Sequence, residues 1–344
     1  MENVYRWALI DRWKKTTDEV DGSTPEEWIM STVIARGKNR PKNEGLSRIQ
    51  IEGEIVPVKE LIDSDPELYL GKALNQKYGT TGVLIKMLDS MERLTIQVHP
   101  DKQYAKNILN SEFGKTESWY VLNTREIDGE KSVVYMGFKK HVTKVLWKTF
   151  FENQDIEGML DCLHKIEVKP GDAFMIYGGV PHAIGFGCFL MEVQEPTDYT
   201  MRVEKTTPAG LKIGPELIHQ GVGEETMLEC FHYNTYTTEE ALNAWKITPQ
   251  VLDSTTDFTL KTVFNETHTN CFGLNELLLT GSYTIEGNSS FYAAVIYSGA
   301  GIIKCGGKEY KYTQGDEFFI SAAISEITFV SSSESKILLC YPPK

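Results

Sequence analysis

The amino-acid sequence predicts a mainly β protein with a few helices, built as two barrels. From Lys165 to the end, short apolar runs such as Ala173–Tyr177 are separated by glycine and proline. Strands repeated at a spacing of roughly 8–12 residues are typical of antiparallel barrels and sandwiches. Two segments, Lys169–Ile176 and Thr313–Ile320, each place Gly-Asp before an apolar strand, which indicates two related units. The alternative is that Gly-Asp turns recur by chance in a β-rich chain.

The first half of the chain mixes strands with helices. Arg48–Val56 contains short alternations of apolar and polar residues, the pattern of a half-buried strand. Val142–Leu163 has helical spacing of its apolar residues and contains no proline. We further expect helices over residues 59–78 and 101–110, a strand pair formed by Val83–Leu88 and Leu94–His99, strands over Trp119–Asn123 and Lys131–Gly137, and a long loop over Lys205–Cys230.

Composition narrows the classes of function. The chain has 35 basic and 48 acidic side chains, and its formal net charge of −13 argues against a nucleic-acid partner. Six cysteines without a CxxC pair argue against a thiolate zinc cluster and indicate reduced thiols in the cytoplasm. Met1–Asp11 lacks an apolar signal-peptide core. The sequence contains no run of about 18 apolar residues, so we expect no membrane span.

Four polar residues form a candidate metal-ligand set. Gln97 and His99 lie two apart on an alternating strand, so their side chains share a face. Glu117 stands at the entrance of the next apolar strand, and His182 follows the first Gly-Asp strand and a turn. Each of these residues, taken alone, could also be an ordinary structural residue that binds no metal. Together their nitrogen and oxygen atoms suit Zn²⁺, although Fe²⁺ and Mn²⁺ also accept such ligands.

Several ordered motifs resemble the type I mannose-6-phosphate isomerases of the cupin superfamily. The matching segments are Leu84–Asp89, Leu94–Asp101, Gly114–Leu122, Gly137–Lys139, Pro170–Phe174, Pro181–Gly185, and Glu192 with Arg202. The resemblance implies two cupin (jelly-roll) barrels and one Zn²⁺ per chain, held by Gln97, His99, Glu117 and His182. It also implies a catalytic arginine ten residues after a strand glutamate, a spacing that Arg202 and Glu192 match.

Other segments depart from the family pattern. Tyr5–Ile10 replaces a Trp-Gly-Gly element, and Pro25–Ile29 replaces Gly-Glu-Ser-Trp-Glu. Tyr177–Val180 replaces Pro-Ala-Gly-Thr, and Glu204–Thr207 stands where Tyr-Asp is usual. A serine that the family associates with phosphate is Thr95 here. The departures leave the metal ligands intact, so they bear on the substrate more than on the reaction class.

The resemblance implies a zinc-dependent aldose–ketose isomerase that interconverts mannose 6-phosphate and fructose 6-phosphate through a cis-enediol. We expect Arg202, Glu192 and Lys115 to be catalytic. Thr95, Lys102 and Lys205 are the candidates for phosphate binding. The identity of the base stays open, because Glu192 could instead form a buried ion pair with Arg202.

Two other functions remain as alternatives. One is a related cupin isomerase of a different sugar, and the other is a non-catalytic, metal-containing regulator that binds sugar. An Fe²⁺ oxygenase is disfavoured, because such sites use two histidines and one carboxylate with open positions, whereas Gln97 adds a ligand.

The expected organisation is a catalytic metal-binding cupin domain with helical segments over residues 1–245 and a metal-free cupin-like domain over residues 246–344. The second Gly-Asp strand is followed by no histidine, and residues 269–344 contain none. The expected partner is a small-molecule sugar phosphate, without nucleic acid or membrane, and the expected state is a monomer or weak homodimer.

Overall fold

The computed structural model describes residues 4–7, 26–37, 41–51, 54–287 and 289–344, with only the backbone of residues 4–7. Predictions made for residues 1–3 and 8–25 lie outside the described residues. This applies to residues 8–10 of the Tyr5–Ile10 departure and to the side chains of its first three residues. No helix among the described residues is long and apolar enough to span a membrane.

The described elements are mostly short strands. The strands are β1 Val4–Trp7, β2 Glu26–Ile29, β3 Arg48–Ile51, β4 Glu54–Pro57, β5 Leu84–Asp89, β6 Gln97–Val98, β7 Glu117–Thr124, β8 Val133–Lys139, β9 Leu163–Glu167, β10 Ala173–Ile176, β11 His182–Ile184, β12 Cys188–Gln194, β13 Met201–Arg202, β14 Thr235–Tyr236, β15 Lys246–Ile247, β16 Gln250–Ser254, β17 Phe258–Phe264, β18 Gly273–Leu279, β19 Ser282–Glu286, β20 Tyr292–Ser298, β21 Ala300–Cys305, β22 Lys308–Thr313, β23 Glu317–Ile320, β24 Glu326–Val330 and β25 Ser335–Tyr341. The helices are α1 Val58–Ser64, α2 Pro66–Leu70, α3 Lys72–Tyr78, α4 Lys102–Leu109, α5 Lys144–Asn153, α6 Ile156–Asp161, α7 Pro215–Ile218, α8 Glu224–Leu228 and α9 Thr238–Trp245.

These strands form four sheets within the described residues. The outer sheet has the order β13-β6-β11-β8-β14, with β9 beside β8, and the central sheet has the order β15-β10-β7-β12-β5-β2. The nine-stranded sheet runs β16-β17-β18-β25-β20-β23-β1-β3-β4, and the four-stranded sheet runs β19-β24-β21-β22. All pairings are antiparallel except that of β14 with β8.

Apolar side chains stack these sheets into successive layers. One core, which includes Trp119 and Met136, fills the space between the central and outer sheets. A second core, with Met191 and Cys340, joins the other face of the central sheet to the nine-stranded sheet. A third lies between the nine-stranded and four-stranded sheets, and a fourth packs α5 and α6 behind the outer sheet. The fold is therefore mainly β with short helices, and the expectation of two closed barrels is not confirmed.

Several predicted elements differ in detail from the observed ones. Residues 59–78 form three short helices instead of one, and Val142–Leu163 breaks into α5 and α6 at Gln154, whose φ is 51°. The predicted pairing of Val83–Leu88 with Leu94–His99 is wrong: β5 pairs with β2 and β12, whereas β6 pairs with β11 and β13. The predicted loop over Lys205–Cys230 contains α7 and α8.

The two Gly-Asp segments share the same hydrogen bonds. The Asp172 carboxylate accepts from the Lys169 amide at 3.1 Å, as Asp316 does from Thr313 at 2.8 Å. Each preceding glycine has a positive φ, 90° at Gly171 and 82° at Gly315, which only glycine adopts without strain. Each segment also exchanges two backbone hydrogen bonds with its neighbouring strand. The two segments therefore adopt the same turn and the same backbone pairing to a neighbouring strand.

The domain boundary after residue 245 stays a prediction. The N-terminal strands β1, β3 and β4 extend the nine-stranded sheet, which otherwise consists of strands from residue 250 onward. A polar contact also joins the two halves: the Tyr120 hydroxyl donates to the Glu276 carboxylate at 2.5 Å. Lys261 and Lys336 lie 3.2 and 3.3 Å from the same carboxylate.

Removing the Tyr120 hydroxyl should weaken this junction. We expect Tyr120→Phe to lower the free energy of unfolding by about 1.5–3 kcal/mol, because a buried carboxylate loses a hydrogen bond. Tyr292→Phe is the matched control, because the buried Tyr292 hydroxyl has no hydrogen-bond partner among the described residues. Urea unfolding monitored by fluorescence would compare the two variants, and equal losses would contradict the assignment.

Candidate metal centre and active site

Strand register brings three predicted site residues into one row on the outer sheet. Gln97 lies opposite His182 in the β6–β11 pair and opposite Arg202 in the β6–β13 pair. Directly opposed residues of antiparallel strands point to the same face. Their neighbours Ile96, Val98 and Ala183 point to the other face, into the core that packs α5 and α6 behind the outer sheet. The three polar side chains therefore face the central sheet.

The central sheet supplies the facing carboxylates. Glu117 lies opposite Gln194 in the β7–β12 pair, and Glu192 lies opposite Lys86 in the β12–β5 pair. The other face of these strands is apolar and packs on the nine-stranded sheet. The site is therefore built between two sheets, each of which is fixed from behind by its own core.

His99, Glu117 and His182 form a compact, buried cluster. One ligand atom from each lies within 4.8 Å of the other two. The His99 Nε2 atom is 3.0 Å from Glu117 Oε2, and His182 Nε2 is 3.4 Å from Glu117 Oε1. None of the three residues is more than 1% exposed. The Gln97 amide nitrogen lies 3.2 Å from His182 Nε2, so a half-turn of the amide would present its oxygen to the cluster.

Backbone carbonyls fix the tautomer of both histidines. His99 Nδ1 lies 3.0 Å from the Tyr199 carbonyl, and His182 Nδ1 lies 2.9 Å from the Val180 carbonyl. Because a carbonyl only accepts, each Nδ1 carries the proton and each Nε2 turns a lone pair toward Glu117. Burial lowers the pKa of His99 to about 3 and also lowers that of His182. Both imidazoles are therefore neutral at pH 7, the form that binds metal.

The cluster holds more acceptors than donors. Burial by itself would raise the pKa of the Glu117 carboxyl, but its electrostatic contacts, among them the Lys115 ammonium, hold it well below its usual range. Lys115 Nζ lies 2.9 Å from His99 Nε2 and 2.8 Å from Glu117 Oε2. Glu117 Oε1 and the adjacent Gln194 Oε1 are buried without a hydrogen-bond partner among the described residues. Converging lone pairs with an unmatched carboxylate oxygen fit a divalent cation with nitrogen and oxygen ligands.

A second charged group, which the sequence analysis missed, adjoins this cluster. Lys86 Nζ lies 3.1 Å from Glu192 and 3.5 Å from Glu26, and 4.8 Å from the centre of the Trp28 ring. The alternative pairing of Glu192 with Arg202 is therefore wrong, since the ion-pair partner of Glu192 is Lys86. The presence of a lysine within the apolar run Val83–Leu88 was the one feature of the sequence that indicated a buried charge. The sequence could not identify its ion-pair partner, because the pairing of the strands was not known.

The other predicted catalytic and phosphate-binding residues lie at different distances from the cluster. Arg202 donates to the Leu217 carbonyl at 2.9 Å, and Thr95 is buried two residues before Gln97. Lys102 lies 3.5 Å from Glu195, whose other oxygen accepts from the amide of Thr116, so this lysine stands at the rim of the site.

Lys205 is not brought to the cluster. Its ammonium lies 2.9 Å from Glu224 and 4.9 Å from the centre of the Phe151 ring. Phe151 belongs to the core between the outer sheet and its covering helices, on the face away from the cluster.

The stability of the metal-free protein should fall on acidification. The folded-state pKa of His99 is about 3, against an ordinary value of 6.5. Between these values the unfolded chain binds a proton that the folded chain excludes, so stability rises with pH in this window, by about 1.4 kcal/mol per pH unit at most. Urea unfolding in chelator from pH 4 to pH 7 should show a shallower slope for His99→Gln than for wild type. The exposed His141→Gln is the control, and identical slopes for wild type and His99→Gln would contradict the burial argument.

Comparisons with known proteins agree with this architecture. The family model described as the mannose-6-phosphate isomerase cupin domain matches residues 261–341. The Bacillus subtilis protein YvyI, provisionally named a mannose-6-phosphate isomerase, is 27% identical over 248 residues, which cover 72% of this chain and 71% of its own length. The mannose-6-phosphate isomerase ManA of the same organism is 36% identical over 121 residues, 35% of this chain and 36% of ManA.

A solved structure extends the likeness to the whole chain. The crystal structure of a mannose 6-phosphate isomerase from Bacillus subtilis superposes with a TM-score of 0.72 at 22% identity, and the match covers 99% of this chain and 100% of that one. This likeness concerns the fold, whereas the sequence matches carry the relationship. The chain is therefore similar to mannose-6-phosphate isomerases in sequence over most of its length and in fold over nearly all of it, and residues 261–341 match the cupin domain of those enzymes.

Proposed function

We propose that the protein is a zinc-dependent aldose–ketose isomerase that interconverts mannose 6-phosphate and fructose 6-phosphate. The observation that carries this proposal is the buried cluster of His99, Glu117 and His182, in which a carboxylate oxygen has no donor among the described residues. The similarity to mannose-6-phosphate isomerases supports the isomerase chemistry, and the names of the relatives supply the substrate. A cytoplasmic location and a monomeric or weakly dimeric state are proposals of the same kind.

The proposed metal ligands are Gln97, His99, Glu117 and His182. A zinc ion bound by these residues would supply a Lewis acid for the carbonyl and hydroxyl oxygens of the sugar. The reaction moves one proton between C1 and C2 and another between O1 and O2, through a cis-enediol. The protein must therefore offer groups that accept and return protons close to the cluster.

Glu192 is the proposed proton carrier. Burial raises the pKa of its carboxyl, and the nearby negative charge of Glu117 adds to the rise. Lys86 holds the carboxylate in place at 3.1 Å. A raised pKa makes a carboxylate a stronger base, which suits a group that must both accept and return a proton. Its position on the central sheet, one strand away from Glu117, leaves the sugar between it and the outer sheet.

Cationic groups would stabilise the enediolate and bind the phosphate. Lys115 already contacts two ligand atoms, so a sugar oxygen brought to the cluster would lie within reach of its ammonium. Arg202 faces the same space from the outer sheet, beside Gln97. Thr95 and Lys102 are kept as proposed phosphate contacts, although Lys102 would have to leave its ion pair with Glu195, whereas the placement of Lys205 does not support a role there.

A different sugar is the second candidate substrate, because parts of the pocket wall depart from the family. Glu204, which stands in an altered segment, accepts two hydrogen bonds from Arg93 at 2.6 and 2.9 Å and one from the Ile96 amide at 2.5 Å. This network stabilises the strand that carries Gln97. Because Glu204 stands where the family has other residues, any contact that those residues make with a substrate is absent here.

A coupled assay of ketose formation on a panel of hexose 6-phosphates tests the proposal. Metal-loaded wild type should convert mannose 6-phosphate, and chelation should abolish the activity. Glu192→Gln should lower kcat by about 10²–10⁴-fold because general acid–base catalysis is lost. Glu167→Gln removes an exposed carboxylate paired with Lys131 and should keep full activity. Near-normal turnover by Glu192→Gln would contradict its role, and conversion of another sugar phosphate alone would contradict the substrate.

A further inference from the structure

The phosphate of a hexose 6-phosphate needs a local cation, because it carries a charge of −1.5 to −2 in a chain of net charge −13. The lysines near the site are already paired. Lys86 and Lys115 lie in buried ion pairs with Glu192 and Glu117, and Lys102 is paired with Glu195. A cation that faces solvent without a carboxylate partner would bind a dianion at lower cost, because no existing ion pair must break.

Arg36 is such a cation. Its Nε donates to the Gln220 side-chain oxygen at 2.7 Å, and its guanidinium carbon lies 4.4 Å from the centre of the Tyr199 ring. The residue is exposed, and no carboxylate lies within ion-pair distance of its guanidinium among the described residues. A hydrogen bond from its own amide to Asp198 at 2.7 Å fixes the backbone. The side chain is thus oriented by neutral contacts, and no carboxylate among the described residues forms an ion pair with its guanidinium.

The residues that Arg36 contacts also contact residues of the candidate site. The Tyr199 carbonyl accepts the hydrogen bond from His99, and Asp198 is close enough to raise the pKa of Lys86. Gln220 donates to the Thr200 carbonyl at 3.1 Å, and Arg202 also reaches that carbonyl at 3.4 Å. The two guanidinium groups are therefore joined through one glutamine and one backbone carbonyl. Because Arg36 is exposed whereas Arg202 is only partly exposed, this series of contacts runs from the candidate site toward solvent.

We propose that Arg36 is a specificity-determining residue that binds the phosphate group of the sugar at the mouth of the site. This inference rests on the proposed function for the identity of the substrate. The planar fork of a guanidinium matches phosphate oxygens in a bidentate contact, which an ammonium does not reproduce. Arg36 discriminates phosphorylated from unphosphorylated sugars and takes no part in the proton transfers.

Steady-state kinetics of the metal-loaded enzyme test the role of Arg36. Arg36→Gln should raise KM for mannose 6-phosphate by about tenfold, the loss of one exposed charge-assisted hydrogen bond, with kcat unchanged. The turnover of unphosphorylated mannose should be the same in wild type and variant. Arg36→Lys should restore only part of the affinity. Arg48→Gln removes an exposed arginine from β3, in the nine-stranded sheet, and controls for net charge.

Inorganic phosphate separates this inference from the proposed function. Calorimetric titration should show about tenfold weaker phosphate binding to Arg36→Gln than to wild type, with equal metal content. If wild type does not isomerise mannose 6-phosphate but this difference persists, the proposed function fails and the phosphate contact stands. Equal phosphate affinity in both proteins would overturn the inference. So would an equal loss of activity on phosphorylated and unphosphorylated sugars, since that result indicates a merely structural role.

Discussion

A carboxylate buried between two neutral imidazoles is the constraint on which the site depends. Glu117 is fully buried, and its closest donor is the ammonium of Lys115, which satisfies only one of its oxygens. Leaving a charge this deep without full compensation costs several kcal/mol. The surrounding structure tolerates it because both sheets are held rigidly: backbone carbonyls orient His99 and His182, and apolar cores pack behind each sheet. A bound cation would offset this cost.

The C-terminal half contributes support to this arrangement. Its nine-stranded sheet covers the apolar face of the strands that carry Glu117 and Glu192, and the Tyr120–Glu276 hydrogen bond ties the two halves together. The repeated Gly-Asp turn appears in both halves with the same hydrogen bonds. In the first half the strand after it leads to His182, whereas the second half has no histidine beyond residue 268. The same turn thus precedes a strand of the central sheet in the first half and a strand of the supporting nine-stranded sheet in the second.

Sequence alone was sufficient to group the residues of the candidate cluster and insufficient to predict the residues around it. Alternation along one strand and ordered motifs grouped Gln97, His99, Glu117 and His182, and the structure brings these four side chains together, because each motif carries its own local geometry. The Lys86–Glu192 pair was missed, since it depends on which strands become neighbours. The same limitation produced the wrong pairing of β5 with β6. Lys205 was chosen for its charge, but charge does not reveal which face of a sheet a side chain occupies.

Zinc titration of the chelator-treated protein tests the central claim most directly. Bound metal and melting temperature would be followed together in wild type and in His182→Ala. The account predicts that wild type binds one equivalent, with about 2.7 kcal/mol of added stability when free zinc is 100 times the Kd. His182→Ala should stay folded and bind at least about 10–100-fold more weakly. An equal rise in melting temperature for both proteins, or no saturable binding by wild type, would contradict a metal centre at this cluster.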